Sequence, residues 1–282
     1  QKLMNHVLEL RRKYPFVQIR MIDLFAFQNG ILENPLAYGF DNAEDNENSW
    51  KFRKELLSKT LLSYSPDIIA TQEGREPQLR DFAGLLRGYK LCDENRAWID
   101  PRMYPCFFSG DDIIDSGDLW LSDTPQIAGT KLDTSMFPRL MTWIKCVHEN
   151  QEVLLVNVHL DHSSQSARDE QSQILIDQIK IINTKELPLI LMGDFNSSPT
   201  SRVYRLLKEK LELVDPWVLS KKAEESTYHK FEGKFEKGSR IDWILYSNHF
   251  KLNKIELIKT SDKGRFPSDH FPLFCDIILN NK

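Results

Sequence analysis

Several strand-like segments of the sequence end in polar side chains, and these are the residues that could do chemistry. The clearest case is the apolar run 187–192, which leads into Gly193-Asp194-Phe195-Asn196. If the chain stays extended there, Asp194 and Asn196 point to one face. Ligand sites in open α/β sheets lie at such strand ends, although an Asp in this position also caps turns. Similar strand ends supply the whole candidate set: Asp23, Glu73, Asn157, His159, Asp194, Asn196, Asp242, Asp269 and His270.

This set contains five carboxylates, two histidines and no cysteine. Oxygen ligands suit hard cations, so the set predicts a Mg²⁺ site in which Mn²⁺ could substitute. Such a site suits the hydrolysis of a phosphoester. The metal ion neutralises charge on the phosphoryl oxygens, a carboxylate activates the attacking water, and a protonated histidine stabilises the oxygens of the transition state. The chain has no GxGxxG, GxxxxGK[ST] or GxSxG sequence, which argues against nucleotide-cradling loops and serine esterases.

Strand-like and helix-like segments alternate along the chain, which predicts an α/β protein built as one domain over residues 1–282. Ser198 and Pro199 predict the N-cap and the first residue of the helix after the central strand. The other segments that hold the candidate residues have the periodicity of a strand or of a helix. We predict strands at 16–27, 67–71, 138–147, 153–160 and 271–279, and helices at 49–63, 77–86 and 165–182.

Composition limits the partners and the compartment. The 282 residues are 41% hydrophobic, carry a net charge of −4 and contain no apolar run long enough to span a bilayer. Basic residues are scattered, so we expect a few of them, such as Arg139, Arg168 and Arg240, to hold one or two phosphates. We also expect the protein to be a monomer. Four cysteines without metal-binding spacing predict buried thiols. Thiols lean toward the cytoplasm, and a start at Gln1 leaves a secreted or periplasmic location open.

Five motifs in this order and spacing resemble the endonuclease/exonuclease/phosphatase (DNase I-like) superfamily, in particular its small bacterial-type members. They are QEG at 72–74, VNVHLDH at 156–162, MGDFNSSP at 192–199, SRIDWIL at 239–245 and SDHFPL at 268–273. The resemblance covers residues 17–279. It implies two mixed β-sheets packed face to face as a sandwich with helices on the outer faces, in four layers.

The resemblance also implies roles for the candidate residues. Asp194 is similar to the residue that activates water, and Asn196 to the one that positions water and phosphate. Asp242 resembles the carboxylate that orients His270. The remaining roles are metal binding by Glu73 and Asp269, and phosphate binding by His159, Asn157 and Arg139.

The first strand departs from the family pattern. It usually ends in Asn, and the matching position here is Asp23, which we assign to the metal site. The alternative is that Phe25 occupies that position. An extra carboxylate at the metal would tighten metal binding at a cost in phosphate affinity.

These observations predict a Mg²⁺-dependent phosphoester hydrolase of the phosphodiesterase or nuclease kind, using in-line attack of water on phosphorus. The alternatives are a phosphomonoesterase of the inositol-polyphosphate-phosphatase kind and an inactive binding protein that keeps the fold. We expect the substrate to be a small phosphodiester, a phosphorylated metabolite or a nucleic-acid end. Loops select the substrate in such folds, and those of this chain are 29–48, 94–102, 124–137 and 221–238.

Overall fold

The computed structural model describes residues 18–25, 48–94, 96–100, 102–234 and 238–280. Its strands are β1 (Gln18–Phe25), β2 (Ile68–Gly74), β3 (Lys90–Leu91), β4 (Tyr104–Ser109), β5 (Asp112–Trp120), β6 (Leu140–His148), β7 (Gln151–His159), β8 (Leu189–Asp194), β9 (Leu213–Val214), β10 (Asp242–Ser247), β11 (Phe250–Leu257) and β12 (Leu273–Leu279). Its helices are α1 (Trp50–Leu62), α2 (Glu76–Leu85), α3 (Gln165–Ile182), α4 (Arg202–Lys210) and α5 (Pro216–Leu219).

The strands form two six-stranded sheets. The first sheet has the order β11-β12-β1-β2-β4-β3 and the second has the order β5-β6-β7-β8-β10-β9. Each sheet contains one parallel pair, β1 with β2 and β7 with β8, among antiparallel neighbours. Parallel neighbours need a crossover, and α1 and α3 lie in the two crossovers.

Three apolar clusters show how the layers pack. One cluster lies between the sheets and joins Ile68 and Phe107 of the first sheet to Leu155 and Ile190 of the second. A second cluster packs α1 and α2 against the outer face of the first sheet. The third packs α3 and α4 against the outer face of the second sheet. The predicted four-layer α/β sandwich with mixed sheets is therefore confirmed. The assignment of residues 1–282 to one domain stays a prediction.

The segment after β8 differs from the sequence prediction. The helix begins at Arg202 with Ser201 as N-cap, so the assignment of Ser198 and Pro199 to the helix start was wrong. Ser201 donates its backbone N–H to the carbonyl of Ser198, which closes a turn before the helix. The Ser201 hydroxyl then accepts the N–H of Tyr204 (3.2 Å). Two Ser residues compete for the same cap, and this turn selects the later one.

The other predicted helices and strands are present with small shifts at their ends, apart from residues 16–17 and 26–27 of the first strand, which lie outside the described ranges. All four cysteines are buried and free, as the sequence predicted. Among the described residues, no helix combines the length and apolar character needed to cross a membrane. Most of the loop at 29–48 lies outside the described part of the chain.

Candidate active site

Strand register places three candidate residues side by side in the second sheet. Asp194, the last residue of β8, pairs with His159 of β7 on one side and with Asp242 of β10 on the other. Gly193 makes this close approach feasible. Its φ is 142°, and an added Cβ would lie 2.0 Å from the carbonyl oxygen of Val158. Only glycine fits there, so the GD pair sets the spacing of the site.

Asp194 both caps a turn and belongs to the cluster. Its Oδ1 accepts the backbone N–H of Asn196 (2.8 Å), and Asn196 has a φ of 47°. The Asn196 side chain donates to the carbonyl of Leu160 (3.1 Å). The expectation that the chain stays extended through Asn196 was therefore wrong. The turn directs Asn196 back to the end of β7, where it lies beside Asp194.

His270 forms a buried ion pair with Asp242. Its Nδ1 lies 2.8 Å from Asp242 Oδ2, and both side chains are 4% exposed. Burial alone would lower the pKa of His270, but the charges of Asp242, Asp269 and Asp194 raise it to about 10. The imidazole is therefore a cation at neutral pH, held in one orientation.

Arg139 contacts two further histidines. Its Nη1 lies 3.0 Å from Nδ1 of His159 and its Nη2 lies 3.1 Å from Nδ1 of His162. A guanidinium only donates, so we assign both Nδ1 atoms as acceptors and both imidazole protons to Nε2. Burial, followed by the charge of Arg139, lowers the pKa of both histidines. His159 Nε2 lies 3.6 Å from Asp194 Oδ2, so its N–H faces the carboxylate cluster.

Glu73 and Asp269 add two carboxylates from the first sheet and from the loop before β12. The pairing of β2 with β4 shifts between Thr71 and Gly74, and Glu73 has a φ of 60°. Strained φ values of this kind concentrate at functional sites. Burial raises the pKa of Glu73 to about 7, and the charge of Arg139 opposes this rise. Burial also raises the pKa of Asp269.

The cluster holds more buried negative charge than its cations balance. Burial raises the pKa of Asp194 well above its usual value, and the charge of Asp242 adds to the rise. Asp242 Oδ1 and Asp269 Oδ2 are buried without a hydrogen-bond partner among the described residues. Buried carboxylates normally pair or bind a metal ion. The donor set therefore fits a hard divalent cation, which the oxygen atoms would hold.

Donor atoms of Asp194, Asp242 and His270 lie within 4.8 Å of one another. This trio alone does not describe a metal site, because His270 is protonated and gives its Nδ1 proton to Asp242. A protonated imidazole has no lone pair for a metal ion. Oxygen atoms of Asp194 and Asp242, with those of the nearby Glu73 and Asp269, are the available ligands.

Asp23 is the remaining sequence candidate for the metal site. Asp23 pairs in β1 with Ala70 and with Leu273, and its side chain lies outside the described residues, so its place in the metal site stays a prediction. Phe25 pairs with Gln72, the neighbour of Glu73. The register therefore brings Phe25 nearer to the site than Asp23.

Asn157 links the two sheets. Its Nδ2 donates to the carbonyls of Thr71 (3.0 Å) and Cys106 (2.9 Å), and its Oδ1 accepts from Gln72 (2.7 Å). Both amide protons are thus used inside the protein. Phosphate binding by Asn157 stays a prediction that these hydrogen bonds do not favour.

The expectation that Arg240 binds phosphate was wrong. Its side chain is fully buried and forms ion pairs with Asp215 (3.0 Å) and Glu224 (2.9 Å). Arg168 lies on α3 and donates to the carbonyl of Asp161 (3.0 Å). Of the three arginines proposed for phosphate, Arg139 is the one that contacts the candidate histidines.

Sequence reasoning missed three residues at this site. Arg53 of α1 is buried and donates to the carbonyl of Pro267 (2.7 Å), and its charge opposes the burial-driven rise in the pKa of Asp269. His162 shares Arg139 with His159, and Tyr228 packs on His270. Arg53 lies in the predicted helix 49–63 without a motif to mark it, and only the motif HLDH at 159–162 could have drawn attention to His162.

A sequence model of the Endonuclease/Exonuclease/phosphatase family matches residues 30–270. The chain belongs to this family. Members of the endonuclease/exonuclease/phosphatase family hydrolyse phosphoester bonds, and the chain is accordingly a hydrolase of this class.

Named relatives in the family differ in how much of their length they share with the chain. Nocturnin of Xenopus laevis is 26% identical over 281 residues, which are 90% of this chain and 72% of that protein. Tyrosyl-DNA phosphodiesterase 2 of Gallus gallus is 24% identical over 242 residues, which are 78% of this chain and 60% of that protein. The chain spans 65% of the nocturnin of Mus musculus.

A solved structure from the family covers the fold almost completely. The mannosyl-6-phosphatase Bt3783 of Bacteroides thetaiotaomicron superposes with a TM-score of 0.79 at 26% identity. The superposition covers 93% of this chain and 100% of that one. The two chains therefore share one architecture from end to end of the bacterial enzyme.

Proposed function

We propose that the protein hydrolyses a small phosphoester by in-line attack of water on phosphorus, with Mg²⁺ as the metal ion. The observation that supports this most directly is the cluster of the buried Asp194, Asp242 and Asp269 with the half-buried Glu73, which contacts one imidazolium and lies beside Arg139. Excess carboxylate suits a divalent cation, and the adjacent cations suit an anionic substrate.

Glu73 and Asp269 would hold the metal ion, with Asp23 as a third predicted ligand. When bound, Mg²⁺ neutralises charge on the phosphoryl oxygens and on the leaving group. Glu73 suits this role because burial raises its pKa to about 7 although the charge of Arg139 opposes the rise, and a divalent cation would stabilise its ionised form. Arg53 donates a hydrogen bond to the carbonyl of Pro267 (2.7 Å), which helps to fix the loop that carries Asp269.

Asp194 would orient and deprotonate the attacking water. Its Oδ1 is occupied by the Asn196 N–H, which leaves Oδ2 for the water, and burial raises its pKa toward that of an effective base. Asn196 would position the water. His159 would donate a hydrogen bond from its Nε2–H to a phosphoryl oxygen, because its Nδ1 accepts from Arg139 (3.0 Å). The Arg139 charge would attract the phosphate.

His270 would stabilise the charge that develops on the phosphoryl oxygens. Asp242 keeps it protonated and fixes its ring through the 2.8 Å contact to Nδ1. Its second nitrogen, Nε2, then carries a proton that can be donated to the substrate.

The first candidate substrate is a phosphodiester. The relative in Gallus gallus is named a tyrosyl-DNA phosphodiesterase, and its match covers 78% of this chain at 24% identity. A net charge of −4 and the buried ion pairs of Arg240 leave few phosphate contacts. We therefore propose a small diester or a nucleic-acid end rather than internal duplex DNA, because duplex binding needs many basic contacts. We also propose that the protein acts as a monomer.

The second candidate is a phosphomonoester of a sugar. The observation in its favour is the superposition on the mannosyl-6-phosphatase over all of that chain. An inactive binding protein is less well supported, because the cluster keeps the carboxylates and the imidazolium that hydrolysis requires.

The test compares hydrolysis of bis-p-nitrophenyl phosphate, p-nitrophenyl phosphate and mannose 6-phosphate in Mg²⁺ or Mn²⁺. We expect activity on at least one ester, its loss in EDTA and its return with either metal ion. A higher kcat/KM for the diester supports the first candidate, and a higher value for a monoester supports the second. Full activity after exhaustive chelation, or none on any ester, would contradict the proposed mechanism.

A further inference from the structure

A short segment of the 221–238 loop, residues 227–229, pairs with residues 269–271 of the loop before β12. Residue Tyr228 forms a β-bridge with His270. On either side of the bridge, His229 donates its backbone N–H to Asp269 and Phe271 donates to Thr227, both at 2.8 Å. This pairing ties residues 227–229 to residues 269–271, which include the proposed site residues Asp269 and His270.

The neighbours of Tyr228 hold it in place. Thr227 is fully buried, and its hydroxyl accepts the N–H of Ile241 (3.1 Å). The His229 ring stacks on Phe271 with a centroid distance of 3.8 Å. Two buried side chains therefore fix the backbone, and alternation turns the residue between them outward.

Tyr228 is the exposed member of this segment. It is 37% exposed, and its ring centroid lies 4.9 Å from that of His270 at 49°. Burial, followed by the charges of Asp269 and Glu73, raises the pKa of its hydroxyl. A rigid, half-exposed aromatic ring beside an imidazolium has the properties of a substrate-contacting wall.

We propose that Tyr228 is a specificity-determining residue, whose ring and hydroxyl contact the organic group esterified to the phosphate. This inference rests on the proposed function. The ring is held between His270 and solvent, next to the position where the phosphate would lie. Contact with the ester group gives affinity for esters that carry a ring, whereas inorganic phosphate leaves that contact unused.

The experiment uses Tyr228→Ala and Tyr228→Phe, with Tyr64→Ala as the matched control. Tyr64 is another half-buried tyrosine, whose ring lies 5.0 Å from that of Phe274 at 49° on the helix-covered side of the first sheet. Steady-state kinetics use whichever p-nitrophenyl ester the unmodified protein hydrolyses faster, with inorganic phosphate as the competing inhibitor. Calorimetry on the Asp194→Asn background measures binding of the same ester without turnover.

We expect Tyr228→Ala to raise KM and the calorimetric Kd for the ester by about 3- to 10-fold, the range of an aromatic contact. The Ki of inorganic phosphate should stay within about twofold, because inorganic phosphate carries no organic group to contact the ring. Tyr228→Phe keeps the ring, so it should raise KM and Kd for the ester much less than Tyr228→Ala does. Tyr64→Ala should change neither the ester constants nor the Ki of phosphate.

Two results would overturn the proposal. One is an equal fall in kcat for every ester with KM unchanged, which would mean that Tyr228 only holds His270. The other is ester binding within twofold of the unmodified protein in both assays. Absence of turnover in the unmodified protein would contradict the proposed function instead, and the calorimetric comparison would still test Tyr228.

Discussion

Replacing Asn157 with leucine would separate a structural role from phosphate binding. Leucine has nearly the same shape as asparagine but makes no hydrogen bond. The change removes the bonds to Thr71 (3.0 Å), Cys106 (2.9 Å) and Gln72 (2.7 Å). Asn157 is fully buried between the sheets, so water cannot replace these partners.

The expected loss follows from the groups left unpaired. Each buried polar group that loses its partner costs about 1–3 kcal/mol. Two carbonyls and one amide are affected, and carbonyls can keep a second bond, so we take the lower limit of about 1 kcal/mol each, or about 3 kcal/mol in total. With an m-value of about 3 kcal/mol per M for a chain of this size, the urea midpoint should fall by about 1 M.

Urea unfolding followed by tryptophan fluorescence measures this loss, and KM for the p-nitrophenyl ester is measured on the folded variant. Gln72→Leu and the double variant complete a cycle, in which Asn157 and Gln72 should be non-additive by about 0.5–3 kcal/mol. A stability loss below about 1 kcal/mol together with a KM raised tenfold or more would refute this reasoning. That result would make Asn157 a phosphate ligand, as the family resemblance implied.

Three further outcomes are expected. Gly193→Ala should destabilise the fold by at least about 3 kcal/mol, because its Cβ would lie 2.0 Å from a backbone oxygen; Gly84→Ala, with open space around the new Cβ, should change the melting temperature little or raise it. Burial lowers and the Asp111 carboxylate raises the pKa of His148, with a net rise. The stability from this pair is therefore complete below pH 6.5 and is lost as pH increases through the folded pKa, so Asp111→Asn should remove that part of the pH dependence of unfolding. Asp194→Asn should lower kcat by about 10²- to 10⁴-fold. Burial raises the pKa of Asp194, so its ionised form does not stabilise the fold. The free energy of unfolding of the variant, measured at pH 8 in EDTA, should therefore be no lower than that of the unmodified protein, and a large loss would show that the carboxylate is structural.

Local periodicity accounts for most of the secondary structure that could be predicted. The apolar spacing of residues 165–182 predicted a helix with those limits, and α3 has them because Ser164 caps its first turn. The motifs around Glu73, Asp194 and His270 indicated the family by resemblance, and that resemblance implied the layered fold. Where two local signals competed, as at Ser198 and Ser201, the sequence alone selected the wrong cap.

Long-range contacts decided which polar residues meet and in which charge state. The residue types along a strand do not predict that Asn157 joins the two sheets, that Arg240 forms an ion pair with Asp215, or that Tyr228 packs on His270. Each of these depends on partners far away in sequence. The chain by itself determined a set of carboxylates and histidines with the chemistry of phosphoester hydrolysis. Only the tertiary structure raises the pKa of Glu73, Asp194 and Asp269 and keeps the His270 imidazole charged, because desolvation and neighbouring charge are properties of the packed site.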